Sequence, residues 1–311
     1  MSPTADPLDD APFAGPRPDP APPHKTRPFY WSVRRELWEN RSLYIAPLAV
    51  AGLILFGILV SSAHLADHVR EIAKFASEQQ SDKLSIPYHI VAVALVVTGL
   101  IVSVFYCLGA LYNERRDRNI LFWKSLPVSD IVSVLAKAAL PMAVTPVVTL
   151  AVVAATQIVI LLWSSLVLGA GGLDVTVLWT HIPLLANLAT LAWGLVALSL
   201  WYAPIFGWLL LVSAWAKRTP FLWALLPPPA LVLLEKLALD SHHFAELLGY
   251  RLGGVFTLAF TDADPRAHAA GGQLHADPLR FLTSPGLWTG LAFAAACLAG
   301  AVWLRRRREA I

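Results

Sequence analysis

Six long apolar runs constrain this chain more than any other feature. The first three each exceed the roughly 20 residues that a helix needs to cross the hydrocarbon core of a bilayer. Lipid must be the solvent, because 57% of the 311 residues are hydrophobic and only 14% are charged. The sequence therefore predicts an all-α membrane protein with six transmembrane helices. The runs are residues 43–63, 86–112, 138–168, 181–216, 221–239 and 287–304.

Prolines interrupt two of the later runs. The run 181–216 is too long for one straight span at about 1.5 Å per residue, so we expect a kink at Pro204 or a continuation beyond the membrane. Pro227, Pro228 and Pro229 remove consecutive backbone donors from the fifth run, and lipid offers no replacement for them. We expect neighbouring helices or a cavity to supply partners there.

The positions of Lys and Arg predict the orientation. With six spans and the amino terminus inside, the inner segments hold 17 of the 24 Lys and Arg residues. Cytoplasmic loops of membrane proteins carry an excess of these residues, and an odd number of spans would place the Arg cluster at 305–308 outside. Both termini are therefore predicted to be cytoplasmic. The net charge of +3 is too small to indicate nucleic acid as a partner.

Two different segments precede the first run. Residues 1–28 are rich in proline and cannot bury enough apolar surface to offset their ordering entropy, which predicts a disordered cytoplasmic tail. Residues 29–41 then have the periodicity of an amphipathic helix, and Trp31 and Trp38 are flanked by Arg34 and Arg41, as at a headgroup boundary. We expect an interfacial helix. Its apolar arc holds Phe29, Tyr30, Val33 and Leu37, with Arg35, Glu36 and Glu39 opposite.

The connection after the second run, LYNERRDRNILFWKSLPVSD, is the most informative segment. It places a dense apolar cluster directly after a run of charges. Glu114 and Arg118 have the spacing of an ion pair on a helix. Pro127 ends the element, and Ser129 or Asp130 can cap the next helix. Charges and large aromatic side chains suit docking to another protein, and a solvated connector whose aromatics touch the headgroups fits the composition equally well.

Three segments together resemble permease subunits of bacterial type-2 ABC exporters. They are RRELWENRSLYIAPL before the first span, the connection LYNERRDRNILFWKSLPVSD, and LLLVSAWAKR at the end of the fourth run. The resemblance covers most of the chain after the Pro-rich tail. It implies a six-span permease domain at 29–311, an amphipathic elbow helix, and a cytoplasmic coupling helix that sits in a cleft of an ATPase.

The resemblance also implies roles for individual residues. An outer element before the last span would lie within the mostly polar loop 240–285. The elbow helix would carry Trp31, Arg34, Arg35, Glu36 and Trp38. The coupling segment, 113–126, would include Glu114, Arg115, Arg116, Asp117, Arg118, Phe122, Trp123 and Lys124.

The partners implied are two ABC ATPase subunits, a second copy of this chain and membrane lipid, in the bacterial inner membrane. The resemblance implies export of an unidentified substrate, for which we expect a hydrophobic or amphipathic compound. The chain has no GxxxxGK[ST] phosphate loop, so it is not expected to act as an enzyme or bind a cofactor. ATP and Mg²⁺ would bind the partner ATPase.

Three other functions compete with this one. A membrane-embedded enzyme is disfavoured because the sequence has no HExxH pair, no GxSxG elbow and no paired intramembrane carboxylates. A secondary transporter stays open, although the spans lack the repeated buried charges expected for ion coupling. A membrane sensor or assembly protein without ATP coupling also stays open.

Few polar side chains lie within the spans. Asn187 and Gln157 are expected to form hydrogen bonds between helices. Glu235 and Lys236 lie near the outer end of the fifth run, where snorkelling to the outer face is expected. Asn187 and Glu235 are the candidate residues of a substrate pathway.

No metal site is predicted. His64 and His68 have the spacing that shares one helix face, and Asp67 lies between them, but no third ligand position is fixed by the sequence. Cys107 and Cys297 lie inside apolar runs, which indicates buried thiols.

Overall fold

The structure is a computed structural model that describes residues 27–62, 69, 71, 77–117, 129–261 and 275–307. Six helices within these residues are long and apolar enough to cross a membrane, which confirms the all-α, multi-pass architecture. The predicted tail up to residue 26, and His64, Asp67 and His68, lie outside the described residues. The six helices are Ser42–Ser61, Lys83–Arg116, Asp130–Ala170, Thr176–Trp201, Pro220–Leu239 and Pro285–Arg307.

Shorter elements make up and connect these spans. The helices are α1 (Pro28–Glu39), α2 (Ser42–Ser61), α3 (Ser77–Ala110), α4 (Tyr112–Arg116), α5 (Asp130–Ala139), α6 (Thr145–Ala170), α7 (Thr176–His181), α8 (Leu184–Trp201), α9 (Ala203–Trp215), α10 (Pro220–Leu225), α11 (Pro227–Leu239), α12 (His243–Ala259), α13 (Pro278–Thr283) and α14 (Pro285–Arg307). Two short strands, β1 (Phe260–Thr261) and β2 (His275–Ala276), pair antiparallel, with Phe260 opposite Ala276.

The third span starts with the predicted cap. The Ser129 hydroxyl accepts a hydrogen bond from the Val132 amide at 3.3 Å. A π-helical turn, Leu140–Val144, then joins α5 to α6, with Pro141 as its second residue. Proline has no amide hydrogen to donate, so the regular helix ladder is interrupted where this wider turn forms. The span nevertheless continues as one helical segment to Ala170.

The fourth run breaks where the sequence predicts. Helix α8 ends at Trp201 and α9 begins at Ala203, with Tyr202 outside both helices. Pro204 is the second residue of α9, where a missing amide hydrogen has no intrahelical partner to lose. The proline therefore starts a helix and does not distort one.

The three prolines of the fifth run do not need hydrogen-bond partners from neighbouring helices or a cavity. Pro227, Pro228 and Pro229 form the first turn of α11, and α10 ends before them at Leu225. The expectation of a cavity or neighbouring helices that replace lost donors is wrong for this reason, since first-turn amides make no intrahelical bond.

Small residues bring the last span, α14, close to α9. A Cβ atom on Gly207 of α9 would lie only 3.2 Å from the Cα atom of Ala294 in α14. Close approach at small residues is the usual route to helix packing in lipid. The predicted bond between helices also forms at Gln157, whose Nε2 donates to the Tyr88 carbonyl of α3 at 3.1 Å.

The segment 240–285 is more regular than the predicted loop. It contains α12, the two strands and α13 among its described residues. The Glu235 carboxylate receives hydrogen bonds from the amides of His243 and Phe244 at 2.9 and 2.8 Å, and from the Ser241 hydroxyl at 2.8 Å. Glu235 therefore caps the start of α12, a role that the sequence did not predict.

Candidate functional site

Helix α1 turns Glu36 towards the protein, together with Val33 and Leu37, which pack against the core. Glu36 is only 2% exposed, whereas Trp31 and Trp38 are 57% and 62% exposed. The guanidinium of Arg34 stacks on both rings, with its Cζ atom 5.3 Å from the Trp31 centroid and 4.6 Å from that of Trp38. The predicted elbow residues thus divide into an outward aromatic set with Arg34 and an inward pair, Arg35 and Glu36.

Glu36 has three partners. Its Oε1 atom lies 2.8 Å from Nζ of Lys137 in α5 and 2.9 Å from Nη2 of Arg35. The Tyr106 hydroxyl of α3 donates to Oε2 at 3.2 Å. Burial alone would raise the pKa of the Glu36 carboxyl, but the charges and hydrogen bonds of Lys137 and Arg35 outweigh it and hold this pKa below its ordinary value.

The ion pairs continue to the end of the last span. Oε1 of Glu114 in α4 lies 3.0 Å from Nζ of Lys137, and its Oε2 atom accepts a hydrogen bond from Arg305 of α14. The Nε atom of Arg305 lies 2.9 Å from Oδ1 of Asp130 at the start of α5. We call these five residues, Glu36, Lys137, Glu114, Arg305 and Asp130, the charge cluster.

The neighbouring residue of α4 attaches this helix to α9. Arg115 donates from Nη2 to the carbonyls of Ser213 and Ala216, at 2.9 and 2.6 Å. These carbonyls lie at the end of α9, where the helix dipole favours a cation. The Ser213 hydroxyl accepts from the amides of Leu111 and Tyr112 at 3.1 and 2.9 Å, so the junction of α3 and α4 is fixed to α9 as well.

Two of the predicted coupling residues are therefore internal. Glu114 and Arg115 are 9% and 4% exposed, so neither side chain lies on an accessible docking surface. Among the described residues, Glu114 pairs with Lys137 and Arg305, and α4 ends at Arg116. Arg118 itself is outside the described residues.

The remaining coupling residues are exposed or undescribed. Arg116 and Asp117 are exposed and pair with each other, at 3.0 Å between Nε and Oδ1. Phe122, Trp123 and Lys124 lie outside the described residues.

A polar cleft of about 310 Å³ opens beside the charge cluster. Burial and the nearby charge of Glu36 raise the pKa of the Glu39 carboxyl, which lies at the cleft wall. Asp117, the exposed residue that directly follows α4, is also part of the cleft wall. The lining residues are Glu36, Glu39, Asn40, Gly109, Ala110, Asn113, Glu114, Asp117 and Lys137.

Comparison with protein-family models, curated proteins and solved structures finds no match to this chain. The geometry of the charge cluster and the cleft therefore carries the functional argument.

Sequence reasoning used Lys137 and Arg305 only as cations that set the orientation, and missed that both are buried. One signal was available for Lys137, which is a single cation within the otherwise apolar end of DIVSVLAKAA. A charge at such a position indicates a partner inside the protein. Nothing comparable marks Arg305, since three further arginines follow it and resemble a solvated cluster.

The two candidate pathway residues lie outside the charge cluster. Asn187 is half-buried near the start of α8, and Glu235 caps α12 as described above. Within the described ranges, no group of three or more His, Cys, Asp or Glu side chains has the arrangement to hold a metal ion.

Proposed function

We propose that this chain is the membrane subunit of an ATP-driven exporter whose ATP is hydrolysed on a separate subunit. The observation that carries the proposal is the set of contacts made by α4. This five-residue helix at the end of the second span is held to α1 and α5 through Lys137, to α14 through Arg305, and to α9 through Arg115. A displacement of α4 is therefore transmitted to four other helices at once.

Such an arrangement suits mechanical coupling. Packed helices move as units and do not deform continuously, so a push on α4 becomes a rotation or shift of whole spans. In our proposal the ATPase docks on the segment that starts at Arg116 and continues to residue 126. Nucleotide-driven closure then moves α4 and switches the permease between inward and outward openings.

The proposed assembly contains two copies of this chain and two ATPase subunits. The fifth span leaves a face available for pairing of two copies, since only 6% of its most apolar part is buried within the chain, against 44% for the third span. Substrate, for which we propose a hydrophobic or amphipathic compound, would pass between the copies. We place the assembly in the bacterial inner membrane with both termini in the cytoplasm, because the Lys and Arg bias favours it.

The test is a tagged purification in mild detergent from the native host, followed by identification of copurifying proteins and an assay of ATPase activity. Three variants separate docking from folding. Arg116→Glu and Trp123→Ala change the proposed docking segment, and both should reduce recovery of the ATPase subunit while leaving thermal unfolding unchanged. Glu114→Gln should lower the unfolding temperature, because it breaks buried ion pairs.

The control is Arg280→Glu, the same charge reversal on an exposed residue of α13 far along the chain from the coupling segment. It should leave ATPase recovery at the level of the unchanged chain. A stable chain that copurifies with no nucleotide-hydrolysing protein would refute the proposal and favour a secondary transporter or a sensor.

A further inference from the structure

Arg251 of α12 lies in a site at the junction of three helices. Its Nη2 atom donates to the Gly286 carbonyl of α14 at 2.9 Å, and Nη1 makes a long 3.5 Å contact with the Trp201 carbonyl of α8. The guanidinium stacks on the Trp201 ring, with 4.6 Å between Cζ and the ring centroid. The Trp201 Nε1 atom donates back to the Arg251 carbonyl at 2.8 Å, so ring and arginine fix each other.

The last span leaves room for this arginine. A Cβ atom on Gly290 would lie 2.6 and 2.7 Å from the two Nη atoms of Arg251, closer than atoms can approach. One turn earlier, a Cβ atom on Gly286 would lie 2.5 Å from the Tyr250 hydroxyl. Glycine at both positions lets two consecutive residues of α12 press directly on the backbone of α14.

The charge of Arg251 has no anionic partner among the described residues. Arg305, at the other end of α14, is neutralised by Glu114 and Asp130. Arg251 makes hydrogen bonds only to the two carbonyls above within the described part of the chain. A guanidinium has five N–H groups, of which the described residues accept from two, and the side chain is only half-buried.

The point at which Arg251 contacts α14, near Gly290, places its side chain within reach of lipid headgroups or of molecules in the bilayer. Gly290 precedes Arg305 by 15 residues, a distance of about 22 Å along a helix. The hydrocarbon core of a bilayer is about 30 Å thick. If the charge cluster marks one face of the membrane, Arg251 lies inside the opposite boundary, where an unpaired cation is costly and usually functional.

We propose that Arg251 binds the oxyanion of a phosphate-bearing molecule, either a phospholipid headgroup or a free phosphate, in the site formed by Trp201, Gly286 and Gly290. Arginine suits this ligand because its planar fork donates two parallel hydrogen bonds to a phosphate. The site is separate from the charge cluster and does not depend on the proposed coupling to an ATPase.

The test uses the full chain, purified in a neutral detergent and stripped of lipid. Phosphatidylglycerol binding is measured by native mass spectrometry, with phosphatidylcholine and inorganic phosphate as the other probes. Arg251→Gln should weaken phosphatidylglycerol binding by about tenfold or more, the usual effect of losing a hydrogen bond to a charged group. Arg280→Gln, which makes the same change of charge on exposed α13, should bind like the unchanged chain.

Gly290→Ala provides a second variant, because its added methyl displaces the guanidinium while the net charge stays the same. It should weaken binding as Arg251→Gln does. If Arg251→Gln does not fold, Gly290→Ala is the variant whose binding is compared with that of the unchanged chain. Displacement of the lipid by inorganic phosphate would identify a free oxyanion as a sufficient ligand, whereas lipid binding that phosphate does not disturb would identify a headgroup site. Binding unchanged in both variants, or reduced equally in Arg280→Gln, would overturn the proposal.

Discussion

Lys137 and Glu36 are 101 positions apart in the chain, and their charged atoms lie 2.8 Å apart in a buried ion pair. This pair attaches α1 to the third span. An interfacial helix is normally held by its apolar face, which inserts into the bilayer. In α1, the buried pair of Glu36 and Lys137 specifies the position of the helix relative to the third span.

Loss of this pair should destabilise the protein strongly. Glu36→Gln leaves Lys137 with Glu114 as its partner, and removing one member of a buried ion pair typically costs about 3 kcal/mol. The measurement is unfolding of the purified chain in detergent micelles. Arg116→Gln is the matched control, because it removes an exposed pair and should leave the unfolding midpoint unchanged. Equal stability of Glu36→Gln and the unchanged chain would contradict the structure.

The same variant should show a defined pH dependence. The folded-state pKa of Glu36 is below its ordinary value of 4.5, so its contribution to stability is complete above pH 4.5. It is lost as the pH falls further, through the folded-state pKa. The difference in unfolding temperature between Glu36→Gln and the unchanged chain should therefore be constant near neutral pH and shrink in acid. A difference that grows in acid would show that another group dominates.

Glu39 should respond in the opposite direction. Its folded-state pKa is raised above 4.5, so its charged form opposes folding, and this effect increases as the pH rises through the raised value. Glu39→Gln should unfold at a higher temperature than the unchanged chain at pH 7. The two should unfold together below pH 4.5, where both side chains are neutral. A destabilised Glu39→Gln at neutral pH would contradict this account.

Ser213→Ala should loosen the junction between α3 and α4. The substitution leaves the buried amides of Leu111 and Tyr112 without their acceptor, and each unpaired buried group costs roughly 1–3 kcal/mol. Hydrogen exchange at these two amides should become faster, as detected by mass spectrometry. Ser199→Ala is the control, because that buried hydroxyl only donates to the Leu195 carbonyl of its own helix. Exchange that is unaffected by Ser213→Ala would refute the assigned contact.

Gly207→Leu should separate α9 from α14, the last span. The new side chain would collide with Ala294 and Cys297 of α14, and overpacking of this kind costs roughly 1–3 kcal/mol. A cysteine crosslink or spin-label distance between α9 and α14 would lengthen. Gly52→Leu on α2 is the control, since a Cβ atom there meets nothing within 4 Å. Equal distances in both variants would show that Gly207 is not a packing position.

The spans could be predicted from sequence because lipid imposes their length and composition on each segment separately. The cap at Ser129 and the break before Pro204 are also local, and both predictions are confirmed. The effect of the prolines at 227–229 was harder to predict. Proline removes a helix hydrogen bond when the helix continues through it but not when the helix starts there, and hydropathy alone does not distinguish these cases.

The charge cluster could not be predicted because its members come from four distant segments. The sequence suggested that Glu114 is exposed, since it lies among charges. Its burial is possible because the ion pairs with Lys137 and Arg305 offset the desolvation of its carboxylate. The same holds for Glu235, whose partners belong to the following helix. Local patterns report which residues carry charge, but the partner that neutralises each charge is set by tertiary packing.

The break at Tyr202 divides the fourth apolar run, 181–216, between two groups of helices. On one side, Trp193 and Trp201 of α8 are hydrogen-bonded to the backbone of α12. On the other side, Gly207 brings α9 against α14. Because α8 and α9 meet at a single non-helical residue, a change in the backbone angles of Tyr202 would alter the angle between them without unwinding either helix. Such a hinge would let α9 shift together with α14 while α8 stays attached to α12.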